Sequence, residues 1–393
     1  MFRLSRFLEA LRDGGPVPSA RKPAGPVVIW NLVRRCNLNC RHCYATSADV
    51  DFRGELETDE ALAVLDQLKA TGVPALILSG GEPLMRQDLY VIATRARELG
   101  FHLSLSSNGT LLDAGHAARL AATGFDYVGV SLDGLAPTHD RFRRSDGAFD
   151  RALAGLRTAR AAGLRVGVRM TLTEANAAQL ADVVALTEAE GIDKFYLSHF
   201  NYAGRGKGYR ADDARHARTR AALDWLIDHV WSRAQAGHAG DFVTGNNDAD
   251  GVYLLQWISQ RYPERVADMR ARLTAWGGNA TGVGVANIDN LGNVHPDTMW
   301  WHVTIGNVRE RPFGEIWADR TDPLMAGLKA SPRPLEGRCA ACLHRDICNG
   351  NTRVRAWAVS GNPWAEDPGC YLTDTELRAP GGIDQTETFA CVQ

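Results

Sequence analysis

No stretch of this 393-residue chain is apolar for long enough to cross a bilayer. The opening residues, Met1-Phe2-Arg3-Leu4-Ser5-Arg6, lack the uninterrupted apolar core of a secretory signal. Neither sign of charge dominates: 44 Lys and Arg stand against 46 Asp and Glu, a formal net charge of −2. That balance gives no electrostatic ground for a nucleic-acid or anionic-membrane partner. These absences lead to the expectation of a cytoplasmic protein. Cysteine is scarce and unevenly placed. Three occur at positions 36, 40 and 43, none until 339, 342, 348 and 370, and one more at 391. Disulfides are not expected in a reducing compartment, so tight clusters of thiols point to metal. Cys391, in a polar tail, reads as a spare thiol.

The most informative absence is a fourth cysteine near the first three. Cys36, Cys40 and Cys43 stand at C-x3-C-x2-C, directly after the apolar run Val27–Val33. A four-iron cube normally takes four thiolates, so three imply a cube with one iron open to a ligand from outside the protein. An open position suits a catalytic centre, whereas structural sites are closed. The competing reading is a zinc knuckle with His42 as fourth ligand, but a residue between two of the cysteines is awkwardly placed to close a tetrahedron.

From Val27 to about Phe200, short β-branched runs alternate with helix-period segments. The strands are expected at Val27–Val33, Ala75–Leu78, His102–Ser106, Tyr127–Ser131, Arg165–Leu172 and Phe195–Ser198. Six such units predict an α/β fold, a partial (β/α)6 TIM-like barrel with a parallel sheet. Ligands of such sheets bind at the carboxyl ends of the strands. There the sequence places the cysteine loop, then Gly80-Gly81-Glu82-Pro83, Asn108, Ser131 and Asp133, with Arg169 on the fifth strand and His199 ending the sixth. Each is ordinary loop chemistry taken singly. Together they offer backbone donors, carboxylates and a cation, a rim suited to a polar, zwitterionic, nucleoside-like ligand. The Gly/Asn/Asp-rich stretch from 237 to 250 reads as a domain boundary. The expected division is residues 1–26 as an N-terminal extension with a docking helix, 27–240 as the barrel and 241–393 as a second, cysteine-rich domain. In the latter, Gly282–Ile288 and Val294–His295 should form a hairpin. Cys339, Cys342, Cys348 and Cys370 complete a four-thiolate site that fits either a 4Fe–4S cluster or structural zinc, and spacing does not choose between them.

These residues resemble the radical S-adenosylmethionine enzymes. Cys36, Cys40 and Cys43 match that family's three-cysteine signature, although His42 stands where an aromatic usually precedes the last cysteine. Gly80, Gly81, Glu82 and Pro83 match its Gly-Gly-Glu-Pro motif, whose counterpart contacts the methionine amino group. Asn108, Ser131 and Asp133 look like further cofactor contacts, with Arg169 expected at the α-carboxylate. The C-terminal part is similar to the SPASM or twitch extensions that carry auxiliary clusters. Cysteines usual in such extensions are absent around Asn279–Gly282, at Pro296-Asp297 and at Thr352. The resemblance therefore implies S-adenosylmethionine and two 4Fe–4S clusters, the auxiliary one held by Cys339, Cys342, Cys348 and Cys370. Phe2–Arg6, Val28–Leu32, Ser198–Gly206 and Cys348–Ala356 look like the members that act in heme d1 biosynthesis. That similarity implies an oxidoreductase or lyase that removes propionates from the iron tetrapyrrole 12,18-didecarboxysiroheme, supplied with electrons by a flavodoxin- or ferredoxin-type donor. His199, Tyr202 and Arg205 are the expected substrate contacts, ahead of His295, Trp300, Trp301 and His302. Two other functions compete. A peptide-modifying radical enzyme usually has an added peptide-binding module, for which 26 residues before the first strand leave little room. A two-cluster electron carrier would need no nucleoside pocket.

Overall fold

The computed structural model describes residues 1–14, 25–238 and 240–378; the expectation for Cys391 lies outside them. One ten-stranded sheet organises the chain. Its strands are β1 (Val27–Val33), β2 (Ala75–Gly80), β3 (His102–Ser107), β4 (Tyr127–Ser131), β5 (Val166–Leu172), β6 (Lys194–His199), β7 (Asp241–Gly245), β8 (Val285–Ile288), β9 (Asn293–His295) and β10 (Gly306–Asn307). β1 to β7 lie side by side in chain order and parallel, the six expected units plus one more. β8 joins the other side of β1, also parallel, and the antiparallel β9 and β10 continue outward.

α1 (Leu4–Asp13) precedes β1, and between the strands lie α2 (Thr58–Ala70), α3 (Leu89–Glu98), α4 (Ala114–Thr123), α5 (Ala136–Arg143), α6 (Ala148–Ala161), α7 (Leu180–Ala189) and α8 (His216–Gln235). α1 puts Leu4, Phe7, Leu8 and Leu11 into the core at helical spacing, and Phe2 bonds Thr244 of β7 in both directions at 2.8 Å. The docking helix expected at the N-terminus is therefore present, seated on β7.

The stretch read as a boundary contains β7. Its apolar centre, Phe242-Val243, is only two residues long between Gly, Asp and Asn, so no period-2 pattern could reveal it. The sheet and a single buried cluster run through residue 240: Val28, Trp30, Leu76, Leu78, Val168 and Leu197 share that cluster with Ile258, Leu273, Ala286 and Ile288. A parallel sheet buried on both faces explains the near-continuous apolar strands.

Candidate functional site

The cysteine loop is clamped from three sides, and glycines make the clamp possible. After β1 the chain passes so close to the end of β2 that a Cβ on Gly80 would overlap the Val33 carbonyl oxygen. One on Gly81 would overlap those of Arg34 and Arg35. The Gly81 amide donates to Val33 O at 2.6 Å and that of Glu82 to Arg35 O at 3.0 Å. On the far side, Gly204 abuts the carbonyls of Cys43 and Tyr44. Arg205 next to it donates Nε to Cys40 O and Nη1 to Ser47 O, each at 2.8 Å, while its amide bonds Cys43 O at 3.0 Å. The third side is α5, where the Arg41 amide bonds Phe142 O and His42 stacks on the Phe142 ring at 4.4 Å and 8°. Burial pushes the His42 imidazole down to about 3, so it is a neutral packing ring in this loop.

Cys36, Cys40 and Cys43 gather around Leu38, and each sulfur faces a donor. Cys36 receives the Leu38 amide at 3.4 Å and Asn108 Nδ2 at 3.8 Å. Cys40 receives Arg143 Nη1 at 3.6 Å, and Cys43 the Ser47 amide at 3.4 Å. Donors aimed at sulfur stabilise thiolate and tune a metal that it binds. The set fits a three-thiolate cluster site. Gly81→Ala tests the seat: the alanine methyl must displace the Arg34–Arg35 backbone, so the variant should lose iron at this loop while keeping its far-ultraviolet circular dichroism.

The other rim residues divide into those facing the protein and those left free. Glu82 is fully buried, and its carboxylate accepts from the Leu84 amide at 3.2 Å, Ser107 Oγ at 2.9 Å and the Asn108 amide at 2.8 Å. It therefore ties the β2 and β3 ends together, and Asn108, fixed in this way, reaches Asn37 and Cys36. Pro83 opens the single turn that follows. Burial raises the Glu82 carboxyl from 4.5 to about 7 against these donors. The folded state then binds this proton more tightly than the unfolded chain, so its contribution to stability is present below pH 4.5 and is lost as pH rises through about 7. The unfolding free energy of the iron-free chain, from denaturant titrations across that window, should fall relative to that of Glu82→Gln, by roughly 3 kcal/mol over the full span.

Asp133 is also turned inward. It takes Arg143 Nε at 2.7 Å, a second bond from Arg143 Nη2, and the Thr171 amide at 2.7 Å. Burial alone would raise its carboxyl, but the Arg143 guanidinium outweighs that and holds it below the usual range. Arg143 thus bridges Asp133 to the Cys40 sulfur. It was not among the expected site residues, since its partners lie 10 and 103 positions away. Ser131 pairs across the sheet with Arg169. Arg169 donates to Ser106 Oγ and lies 5.4 Å over the Tyr196 ring. Among the described residues it forms no ion pair, so its charge is available to a ligand.

The three residues expected to meet substrate are engaged with the protein. His199 Nε2 lies 3.0 Å from buried Asp250, whose other oxygen accepts from Tyr371 Oη at 2.7 Å. Tyr202 donates to Asp213 at 2.8 Å, and Arg205 serves the cysteine loop. All three positions follow a strand toward the rim, but proximity in sequence did not reveal these partners. Of the weaker expectations, His295 bonds Val303 O at 2.7 Å and Trp300 is core, whereas Trp301 is half-buried and His302 exposed.

Cys339, Cys342, Cys348 and Cys370 converge on one cavity, which Arg338, Asn351 and Leu372 also line. Burial pushes the Cys370 thiol up to about 12 and Cys348 well above its ordinary range. Among the described residues no three His, Cys, Asp or Glu are placed to hold a single metal ion. Four thiolates around one cavity suit either a 4Fe–4S cluster or a single zinc ion. The segment lacking the extra cysteines is closed by hydrogen bonds instead. Thr281 donates to Asp297, Thr352 Oγ to Asn246 O at 2.8 Å, and Arg333 to Asn279 Oδ1 at 2.9 Å and Thr281 O at 2.9 Å.

A parallel partial barrel with a three-cysteine loop at its carboxyl rim is the architecture of a radical S-adenosylmethionine enzyme. Residues 30–186 match the Radical SAM superfamily model, and the chain belongs to that superfamily. Membership brings a 4Fe–4S cluster, S-adenosylmethionine and the need for a reductant. More particularly, the chain is 53% identical over 387 residues to pre-heme d1 synthase of Dinoroseobacter shibae, covering 98% of this chain and 96% of that protein. It is 44% identical to Fe-coproporphyrin III synthase of Methanosarcina barkeri, covering 93% and 94%. Among solved structures, Streptococcus suis SuiB bound to S-adenosylmethionine shares the fold at a TM-score of 0.68 and 20% identity, over 89% of this chain and 78% of that one. No helix among the described residues is long and apolar enough to cross a membrane.

Proposed function

We propose that this enzyme acts in heme d1 biosynthesis and removes propionate side chains from the iron tetrapyrrole 12,18-didecarboxysiroheme. The observation that carries this reading is the 53% identity with pre-heme d1 synthase along nearly the whole of both chains. The same reading assigns the two cysteine sets and the rim between them.

Cys36, Cys40 and Cys43 would hold the radical-forming 4Fe–4S cluster. With S-adenosylmethionine bound there, the pair supplies a 5′-deoxyadenosyl radical when reduced. The chain's own part is positioning and exclusion of water. Gly80 and Gly81 let the cysteine loop lie on β2. Glu82 and Pro83 fix the turn beside it, with Glu82 acting through Asn108. Arg169 is assigned to the cofactor carboxylate because its guanidinium forms no ion pair among the described residues, and Ser131 beside it to the ribose. Asp133 acts through Arg143, orienting that guanidinium onto Cys40. Cys339, Cys342, Cys348 and Cys370 would hold an auxiliary 4Fe–4S cluster, and a flavodoxin- or ferredoxin-type protein would supply electrons. Thiols unpaired throughout the described residues suit a reducing cytoplasm.

The test is anaerobic reconstitution with iron, sulfide and reductant, followed by addition of S-adenosylmethionine and the tetrapyrrole. We expect iron near eight per chain, counting four per cube, and 5′-deoxyadenosine together with a product that has lost propionate. Cofactor cleavage with a tetrapyrrole that returns unchanged would overturn the substrate assignment.

A further inference from the structure

The residues that the reading above leaves unused include four that stand together beside the cysteine loop. His302 stacks on Trp357 at 4.2 Å and 27°. Buried Trp300 backs both rings, at 5.4 Å from His302 and 6.2 Å from Trp357. The Lys207 ammonium lies 5.7 Å from the Trp357 ring centre. Lys207 and His302 are exposed and Trp357 is half-buried. Among the described residues Lys207 forms no ion pair, so the cation beside this aromatic face has no protein carboxylate to meet.

Two independent connections tie this face to the radical-forming loop. Trp301, next to His302, packs on Tyr44 at 5.8 Å and 49°, and Tyr44 directly follows Cys43. Lys207 comes two residues after Arg205, whose amide and guanidinium hold the Cys43, Cys40 and Ser47 carbonyls. Trp357 lies on the helix Arg353–Ser360. That helix is anchored to the barrel through Arg355, which donates to Phe200 O at 3.0 Å just past β6 and is paired with Asp367 at 2.9 Å. The face is therefore tied both to the barrel rim and to the helix Arg353–Ser360.

Resting on the reading of the substrate as an iron tetrapyrrole, we propose that Trp301, His302, Trp357 and Lys207 form its binding platform. The rings stack on the planar macrocycle and Lys207 pairs with a peripheral carboxylate. Offset aromatic stacking suits a flat conjugated ligand, and the exposed Lys207 ammonium, which lies over the Trp357 ring, is placed to pair with an anionic group of a ligand seated there. The same cation would favour a carboxylate-bearing tetrapyrrole over a neutral one.

The experiment is anaerobic titration of the cluster-loaded protein with 12,18-didecarboxysiroheme and with its methyl ester, read from the Soret band. Wild-type protein should bind the acid. Lys207→Ala should weaken binding of the acid about tenfold and leave binding of the ester unchanged. Trp357→Ala should weaken binding of both ligands by at least as much, and Trp357→Phe should recover most of the loss. Substrate-independent cleavage of S-adenosylmethionine should match wild type in the lysine and phenylalanine variants, which shows that the cysteine loop is intact. If wild type binds and processes the acid while Lys207→Ala or Trp357→Ala binds it as well as wild type does, the platform is wrong and the function stands. If wild type binds neither tetrapyrrole, both are wrong.

Discussion

Cys40→Ala should abolish reductive cleavage of S-adenosylmethionine and lower bound iron from about eight to about four per chain, counting four per cube. The Cys40 side chain is buried in its loop. Arg143 donates to it at 3.6 Å while also binding Asp133, and Arg205 holds the peptide oxygen of the same residue. Removing the sulfur leaves two thiols, too few for the site. It also leaves the Arg143 guanidinium facing a methyl group while its Asp133 pair remains satisfied. The loop should therefore keep its backbone, and the loss should be one of iron and activity rather than of folding. The iron that remains reports on the second set, which shares no ligand with the first. A ferrozine assay and chromatography of 5′-deoxyadenosine read both effects on one sample. Retention of all the iron would show that the loop is not a cluster site.

Cys339→Ala should have the opposite signature. Cofactor cleavage continues, uncoupled from substrate, whereas propionate loss falls below detection. Removing one hydrogen atom from a propionate and then releasing the side chain leaves one electron to be accepted. Cys339, Cys342, Cys348 and Cys370 are where this chain would hold the acceptor. Their cavity shares no lining residue with the first loop, so damage there should not propagate to Cys36, Cys40 and Cys43. Product formation at the wild-type rate in Cys339→Ala would remove the auxiliary set from the mechanism.

The parts of this site that could be read from the sequence are those carried by local spacing. Cys36, Cys40 and Cys43 need only one loop to bring them together, and Gly80-Gly81-Glu82-Pro83 is a turn whose chemistry lies in neighbouring residues. The strand positions followed from continuous β-branched runs. What spacing could not show was the direction in which a carboxylate points. Glu82 and Asp133 were both expected to meet the cofactor, yet each is buried against protein donors. The reason lies at a distance. Asp133 is claimed by Arg143 from α5, a helix whose polar sequence has no clear apolar stripe and which was not expected. Arg205 was read as a substrate cation for the same reason: its actual partners, Cys40 O and Ser47 O, lie 165 and 158 residues earlier. Conversely, that Arg169 and Lys207 form no ion pair among the described residues is a property of the folded neighbourhood alone. β7 escaped notice because two apolar residues among Gly, Asp and Asn carry too little pattern.

The central claim is that this chain directs a 5′-deoxyadenosyl radical at a propionate side chain of an iron tetrapyrrole. The most direct measurement uses 12,18-didecarboxysiroheme deuterated on its propionate carbons, with mass spectrometry of the 5′-deoxyadenosine formed in a single anaerobic turnover. The account predicts 5′-deoxyadenosine that carries deuterium, in step with appearance of the product. Product accompanied by unlabelled 5′-deoxyadenosine would contradict it.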